Sequence, residues 1–359
     1  MTSWRPVPAS VPTLTGSPEE RGRQQAESAP QEEVRAAIRT RLEAARKGSG
    51  LGSVSCDYLK KQWRFSFRHC RTAMAELSGI AQGFGISQED LFTHQHLGIL
   101  ADLARTQPVD EDGCSAWAVT DGPDGPMVVK NRDFSGKHLG IQRIFRHEGP
   151  DLVHGPILCL GSLGSPGAYS SGMNAAGLAV VDTQVGVRHH GTGWVRYFLM
   201  TEILARCTTV EDAIGFIRSV PHAGGGTLVL GDRGGAVAAI ELAAFSVAVD
   251  HVAPVFRTNH FVSAELVDET LLSAKSRIDD TSAVRFSGLE ATLPGKAWDA
   301  ASAVDLMSGH GPKAALCQHR GQGETQTIAS VVYCCRDAVM YACLDNPCSG
   351  SWQRISLAT

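Results

Sequence analysis

The chain has 359 residues, with 33 basic and 37 acidic side chains for a formal net charge of −4, and is 43% hydrophobic and 19% charged. That length buries a core without a disulfide framework, and the composition is that of a globular chain rather than a disordered one. The even mixture of charges leaves no basic field for nucleic acid or an anionic membrane, and no run of about 18 apolar residues is present to span a bilayer.

The expected partner is therefore a small molecule. Met1-Thr2-Ser3-Trp4-Arg5-Pro6 lacks the apolar core of an export signal, so a cytoplasmic location is expected. In that reducing setting the ten cysteines are expected as free thiols, and no Cys-x-x-Cys pair points to zinc or thioredoxin-type chemistry.

Residues 1–30 hold five prolines and few aliphatic side chains, the pattern of a flexible leader. From Glu32 to Lys47, Val34, Ile38, Leu42 and Ala45 recur at helical spacing, and Gly48-Ser49-Gly50 ends the run. A second helical region spans about 59–81. A third starts at Ser87-Gln88-Glu89-Asp90, which has the spacing of a capping box, and continues towards Arg105. Residues 31–113 thus read as a helical segment closed by the polar connection Pro108-Val109-Asp110-Glu111-Asp112-Gly113.

Strand signals follow. Ser115–Thr120 and Met127–Lys130 flank the turn sequence Asp121-Gly122-Pro123-Asp124-Gly125. Further strands are expected near 141–146, 156–160, 178–184, 227–230, 236–241, 245–250, 328–333 and 339–344. Helices are expected near 195–206, 209–219, 263–278 and 298–308, with Thr208-Thr209-Val210-Glu211 as another capping start. Runs of hairpins interrupted by helix pairs describe an α+β fold of antiparallel sheets covered by helices.

Cys114 differs from the other cysteines because it sits where the acidic connection meets the first strand. Gly113 before it gives the backbone freedom for strained geometry, which an N-to-S acyl shift at Gly113–Cys114 requires. Cleavage there would place a thiol and a free α-amine on one residue. An α-amine has a pKa of about 7.7–8.0, suited to a general base at neutral pH. Alone, the Gly-Cys pair fits a buried structural cysteine better than a nucleophile.

Asp112-Gly113-Cys114, Asn131-Arg132-Asp133-Phe134, Gly172-Met173-Asn174-Ala175-Ala176-Gly177-Leu178 and Thr258-Asn259-His260-Phe261 occur in the order and spacing of the penicillin acyltransferase-like cysteine Ntn-hydrolases, of the peptidase C45 type. The resemblance extends upstream to Gly79-Ile80-Ala81-Gln82-Gly83 and Ile86–Leu91, like the end of that family's pro-segment. Downstream it reaches Thr327-Ile328-Ala329-Ser330-Val331-Val332, like its closing hairpin; in all it covers roughly residues 32–352.

The resemblance implies a four-layer αββα sandwich of two antiparallel sheets. It further implies a pro-segment over 31–113, autocleavage between Gly113 and Cys114, and a catalytic core over 114–359. By the same resemblance Cys114 is the nucleophile and Asp133 positions the new α-amine. Asn259 is the oxyanion donor, with a backbone N–H at Gln184 as the second. Arg277 in Ser276-Arg277 corresponds either to a site arginine or to a solvated helix residue. Lys130 stands where relatives often carry a basic residue, though a strand lysine is expected to be exposed.

No metal or other cofactor is expected. His94 and His96 are two apart and cannot share a helical face, and His189-His190 lies in a glycine-rich loop typical of surface histidines. Gly161-Ser162-Leu163-Gly164-Ser165-Pro166-Gly167 lacks the Gly-Lys-Ser/Thr ending of a phosphate loop and is expected to border the substrate cleft. Cys334-Cys335, Cys343 and Cys348 are expected in packing roles.

The expected activity is acyl transfer or hydrolysis on a small-molecule amide or thioester, an N-acyltransferase or amidase. The Ala-, Gly- and Arg-rich composition of a high-GC bacterial genome suggests secondary metabolism, such as antibiotic biosynthesis. The partners are a small-molecule acyl donor and an amine acceptor, with a coenzyme A or carrier-protein thioester as a further candidate donor. An amide synthetase working without chain cleavage and a non-catalytic binding relative are the alternatives, and the oligomeric state is open.

Overall fold

A computed structural model describes residues 6–48, 52–106, 113–271, 277–311, 315–319 and 325–357. The N-terminal part comprises β1 (Val7–Pro8), β2 (Thr13–Thr15), α1 (Pro18–Glu27), α2 (Gln31–Lys47), α3 (Ser53–His69), α4 (Arg71–Phe84), α5 (Gln88–Gln95) and α6 (Leu97–Ala104). There follow β3 (Gly113–Val119), β4 (Met127–Ser135), β5 (Gln142–Glu148), β6 (Ile157–Ser162), β7 (Ser171–Asn174) and β8 (Ala179–Thr183). Next come α7 (Arg196–Arg206), α8 (Val210–Ser219), β9 (Thr227–Gly231), β10 (Val237–Leu242), β11 (Val247–Asp250) and β12 (Val255–Arg257). The chain closes with α9 (Arg277–Thr292), α10 (Ala300–Met307), β13 (Thr325–Cys334), β14 (Val339–Cys343) and β15 (Gln353–Ser356).

One sheet runs β1-β15-β14-β13-β4-β3-β12 and the other β11-β10-β9-β8-β7-β6-β5-β2. Pairing is antiparallel except where β1 joins β15 and β2 joins β5. Side chains alternate across a strand, and β3 sorts its residues accordingly. Ala116 and Ala118 face the second sheet, meeting Ala179, Val181, Val229 and Ala239. Trp117 and Val119 face outward against Leu289 of α9 and Trp298 and Met307 around α10. On the far side, Leu178, Val180, Leu228 and Leu230 pack under Phe198 and Leu199 of α7 and Ile214 of α8. The result is the four-layer αββα sandwich, with small residues between the sheets permitting close approach.

The leader expected to be flexible is instead built into the fold over residues 6–30. α1 begins with a full capping box in which Ser17 and Glu20 satisfy each other's backbone N–H, and Leu14 and Ala26 join the core. Few aliphatic residues suffice because polar contacts carry the docking. Buried Arg21 forms a bidentate pair with Asp151 at 2.7 Å for each contact. Gln25 exchanges hydrogen bonds with the Gly164 N–H and Ser165 carbonyl. α1 crosses α4 where Gly22 meets Gly79, and a Cβ on Gly79 would collide with the Glu19 carbonyl oxygen. The glycine of Gly-Ile-Ala-Gln-Gly therefore serves helix crossing.

Other boundaries shift. The region near 59–81 is two helices parted at Cys70, and the one from Ser87 is parted at His96. The second capping box is Thr209 with Asp212, one residue later than expected. The helix expected over 263–278 is absent over 263–271, where Val267–Glu269 form a 3-10 turn; residues 272–276 lie outside the described residues, and the helix proper is Arg277–Thr292. The short strands β7, β12 and β15 have too few residues to show a period.

Candidate active site

Cys114 is the second residue of β3 and is buried. β3 pairs with β4 so that Gly113 faces Asp133 and Cys114 faces Arg132. Directly opposed residues point to the same side of a sheet, so Cys114 and Arg132 share the inter-sheet face. On the other side β12 pairs with β3 up to Arg257 opposite Ala116. Two residues on, Asn259 leaves the strand beside Cys114.

Asn259 is held from several directions. Its Oδ1 accepts the Cys114 backbone N–H at 2.9 Å, its Nδ2 donates to the Gln184 carbonyl at 2.9 Å, and its own N–H donates to Ser282 Oγ at 2.8 Å. Gln184, just past β8, thus reaches the site through its carbonyl, a contact separate from the backbone N–H expected as the second oxyanion donor. Arg285 of α9 completes the cluster. Its guanidinium donates to the Cys114 carbonyl, to Ser115 Oγ at 2.9 Å and to Asn259 Oδ1 at 2.7 Å. The scissile bond of the expected cleavage therefore has its nitrogen bonded to Asn259, while the next carbonyl is held by Arg285.

Arg285 is fully buried, whereas Arg277 opens the same helix and its side chain lies outside the described residues. Eight positions at about 1.5 Å per residue separate the two by about 12 Å along the axis. Beside the cluster, burial and the nearby Arg285 charge hold the His260 imidazole below its usual range, and its Nδ1 lies 2.7 Å from Ser282 Oγ.

Asp133 accepts a hydrogen bond from Thr327 Oγ1 at 2.6 Å. The β4–β13 register slips between Thr327 and Ala329. Such a bulge bends a strand and re-aims its side chains, and here it falls at the residue that holds Asp133. Lys130, expected to be exposed, is buried. Its Nζ donates to the Ser170 carbonyl and hydroxyl and pairs with Asp182, which also pairs with Arg196. The alternation of β4 turns Lys130 inward, so it bridges the sheets. Burial alone would raise the Asp182 carboxyl, but Lys130 and Arg196 override it and hold the group below its ordinary value. A second buried pair, Arg257 with Glu241 at 2.8 Å, braces the sheets near Asn259. Glu241 also accepts the Val262 and Ser263 N–H groups that follow Asn259.

A narrow recess opens on the inter-sheet side of Arg132. Its walls include Phe134 and Tyr169, Leu163 of the glycine-rich loop, and Ile38 and Arg41 of α2. The Arg132 guanidinium lies over both the Phe134 and Tyr169 rings, 5.5 Å from each centroid, and donates to Gln142 at 2.6 Å. Burial and the surrounding cations Arg41, Arg132 and Lys137 push the His138 imidazole down to about 2, so that side chain is neutral at ordinary pH. The wall thus mixes aromatic and aliphatic side chains with two guanidinium groups, the His94 and His138 imidazoles and the Ser162 and Ser165 hydroxyls.

The family model for acyl-coenzyme A:6-aminopenicillanic acid acyl-transferase matches residues 120–349. The chain belongs to this family. The match begins just beyond Cys114 and contains Asp133, Gln184, Asn259, Arg277 and Arg285. No curated protein sequence matches the chain. Among solved structures, a mutant of conjugated bile acid hydrolase from Clostridium perfringens is 13% identical with a TM-score of 0.46, covering 68% of this chain and 92% of that one. Penicillin V acylase from Agrobacterium tumefaciens is 15% identical with a TM-score of 0.36, covering 64% and 82% respectively.

In this acyl-transferase family chain the site contains three contributors that sequence reading does not assign: Arg285, Ser282 and the side chain of Thr327. Thr327 stands inside a motif noted above, but its hydroxyl contact depends on strand register. Arg285 and Ser282 come from a helix whose extent the sequence does not mark. His190, read as a surface histidine, lies 2.9 Å from Asp102 of α6 through its Nε2.

Proposed function

We propose that the chain is a self-processing cysteine Ntn-hydrolase that transfers or hydrolyses an acyl group through an acyl-Cys114 intermediate. In maturation the Cys114 thiolate adds to the Gly113 carbonyl carbon and the Gly113–Cys114 C–N bond breaks, leaving a thioester. Water hydrolyses it to a Gly113 carboxylate and a Cys114 α-amine, giving fragments 1–113 and 114–359. The observation that carries this reading is the convergence of Asn259 and Arg285 on both sides of the Cys114 backbone.

In turnover the α-amine takes the thiol proton and the thiolate adds to the donor carbonyl. Asn259 donates to the oxyanion, a role worth about 2.7–4 kcal/mol for one such donor. The resulting ammonium protonates the leaving amine or thiol, and an acceptor amine or water then removes the acyl group. Asp133, held by Thr327, orients the amine from the neighbouring strand. The Arg285 charge favours both the thiolate and the unprotonated amine.

The family's description pairs an acyl thioester with an amine, which supports a coenzyme A or carrier-protein thioester as donor alongside small-molecule amides. The recess supports an apolar or aromatic acyl group. Both fragments build the αββα body: Ile38, Leu77, Ile80 and Phe92 share one core with Phe198, Leu199 and Leu228. The fragments therefore stay together after cleavage, and α2 remains a wall of the recess. The setting we propose is bacterial secondary metabolism in the cytoplasm.

Brief exposure to amide and thioester donors, followed by peptide mass analysis, tests the reading. Addition of the acyl mass to the peptide beginning at Cys114 is expected. Turnover with the adduct on another residue would contradict it.

A further inference from the structure

Four metal-binding side chains that the catalytic reading does not use converge at the other end of the Thr327 segment. His310 follows α10, Cys317 and His319 lie on the stretch leading towards β13, and Cys348 sits in the 3-10 turn Pro347–Ser349 after β14. One ligand atom from each lies within 4.8 Å of all the others, and this is the sole group of its kind among the described residues. His319 Nε2 is 3.4 Å from Cys317 Sγ and 2.9 Å from Cys348 Sγ. The His310 and His319 rings are 4.9 Å apart, and His310 Nδ1 contacts the Cys317 carbonyl at 3.1 Å. Cys317 is buried while His310, His319 and Cys348 reach the surface, so an ion has a way in.

We propose that His310, Cys317, His319 and Cys348 form a structural zinc site. Two thiolates and two imidazoles are the donor set that Zn²⁺ takes in closed tetrahedral sites. Bond lengths of about 2.3 Å to sulfur and about 2.0–2.1 Å to nitrogen place tetrahedral S and N donors roughly 3.6 Å apart; the two S···N contacts of His319, 3.4 and 2.9 Å, are somewhat shorter, and the 4.8 Å span of the whole group is longer. Binding releases the two thiol protons to solvent, leaving a neutral centre. With four protein donors no position stays open for substrate, so the site is a clip and not a second catalytic centre.

The clip brackets Thr327. Gln318, between two of the donors, exchanges hydrogen bonds with Thr327 at 2.9 and 3.0 Å, and Asn346, two residues before Cys348, donates to the Thr327 carbonyl. The ion thus ties two distant chain segments around the residue that holds Asp133. The pattern escapes sequence reading because Cys348 is separated from the other donors by a whole hairpin.

The test uses the full chain, reduced, stripped with a chelator, and titrated with Zn²⁺ or Co²⁺ alone. One equivalent of zinc retained per chain after desalting is expected, as is the visible absorption of tetrahedral thiolate-bound cobalt. Cys348→Ser and His319→Ala, both at exposed positions, should each lose the cobalt band, whereas Cys56→Ser and Cys114→Ala should keep it. Failure of the unmodified chain to retain zinc would overturn the proposal. So would an unchanged cobalt spectrum in Cys348→Ser, its loss in Cys114→Ala, or a Cys317–Cys348 disulfide that persists through reduction.

Discussion

Replacing Arg285 by methionine removes a positive charge while keeping a long apolar stem in a buried position. Arg285 and the Cys114 nitrogen both hydrogen-bond Asn259 Oδ1, at 2.7 and 2.9 Å, so the charge lies within roughly 6 Å of the nitrogen that the proposed cleavage would turn into the α-amine. At that distance and an effective dielectric near 20, the repulsion between guanidinium and ammonium is about 3 kcal/mol, or about two pKa units. The charge depresses the amine pKa, so the unprotonated base is present at lower pH. In Arg285→Met the rising limb of kcat/KM against pH should therefore move up by about two units. Arg285→Lys keeps the charge and should leave the limb within about half a unit, although losing the fork lowers kcat. The assay is a pH profile on matured protein of each variant. A limb that stays in place in Arg285→Met would refute the electrostatic role, whatever happens to kcat.

Other outcomes follow from the same contacts. Asn259→Ala should lower kcat by about 10²–10³ in steady-state assays, as expected for one oxyanion donor; a loss below tenfold would remove it from that role. Lys130→Met leaves Asp182 buried with Arg196 as its remaining cation, and should cost about 3 kcal/mol in urea unfolding; a change under about 1 kcal/mol would contradict the bridging role. Stability should fall as pH drops below about 6.5, because burial holds the folded-state pKa of His96 to about 4 and His147 to about 3. Unfolded imidazoles bind protons there that the folded ones refuse, at about 1.4 kcal/mol per pH unit for each. Burial raises Glu76 to about 7, which acts in the opposite sense between about pH 4.5 and 7, but His96, His138 and His147 outnumber it. Equal urea midpoints at pH 7 and pH 5 would contradict this balance.

Much of the candidate site is legible because it is local in sequence. A strand start after glycine exposes Cys114 as unusual, and Asn-Arg-Asp-Phe and Thr-Asn-His-Phe are short motifs at strand ends. What cannot be read depends on which strands become neighbours. Lys130 reads as an exposed lysine until Asp182 arrives opposite it from the other sheet. α9 escapes placement because its inward stripe carries Ser282 and Arg285 ahead of Leu289, so the polar residues that serve the site interrupt the apolar period that would have marked the helix. The leader reads as flexible for a related reason: its docking rests on Arg21, Gln25 and a glycine crossing rather than on aliphatic burial.

In the function proposed here, Cys114 cuts the chain and then carries the acyl group. Intact-mass measurement of freshly purified and incubated protein tests it most directly. Two associated fragments, 1–113 and 114–359, are expected from the unmodified chain, and a single 38.2 kDa species should persist in Cys114→Ala. An unmodified chain that stays whole and active, or a Cys114→Ala chain that splits at the same bond, would contradict it.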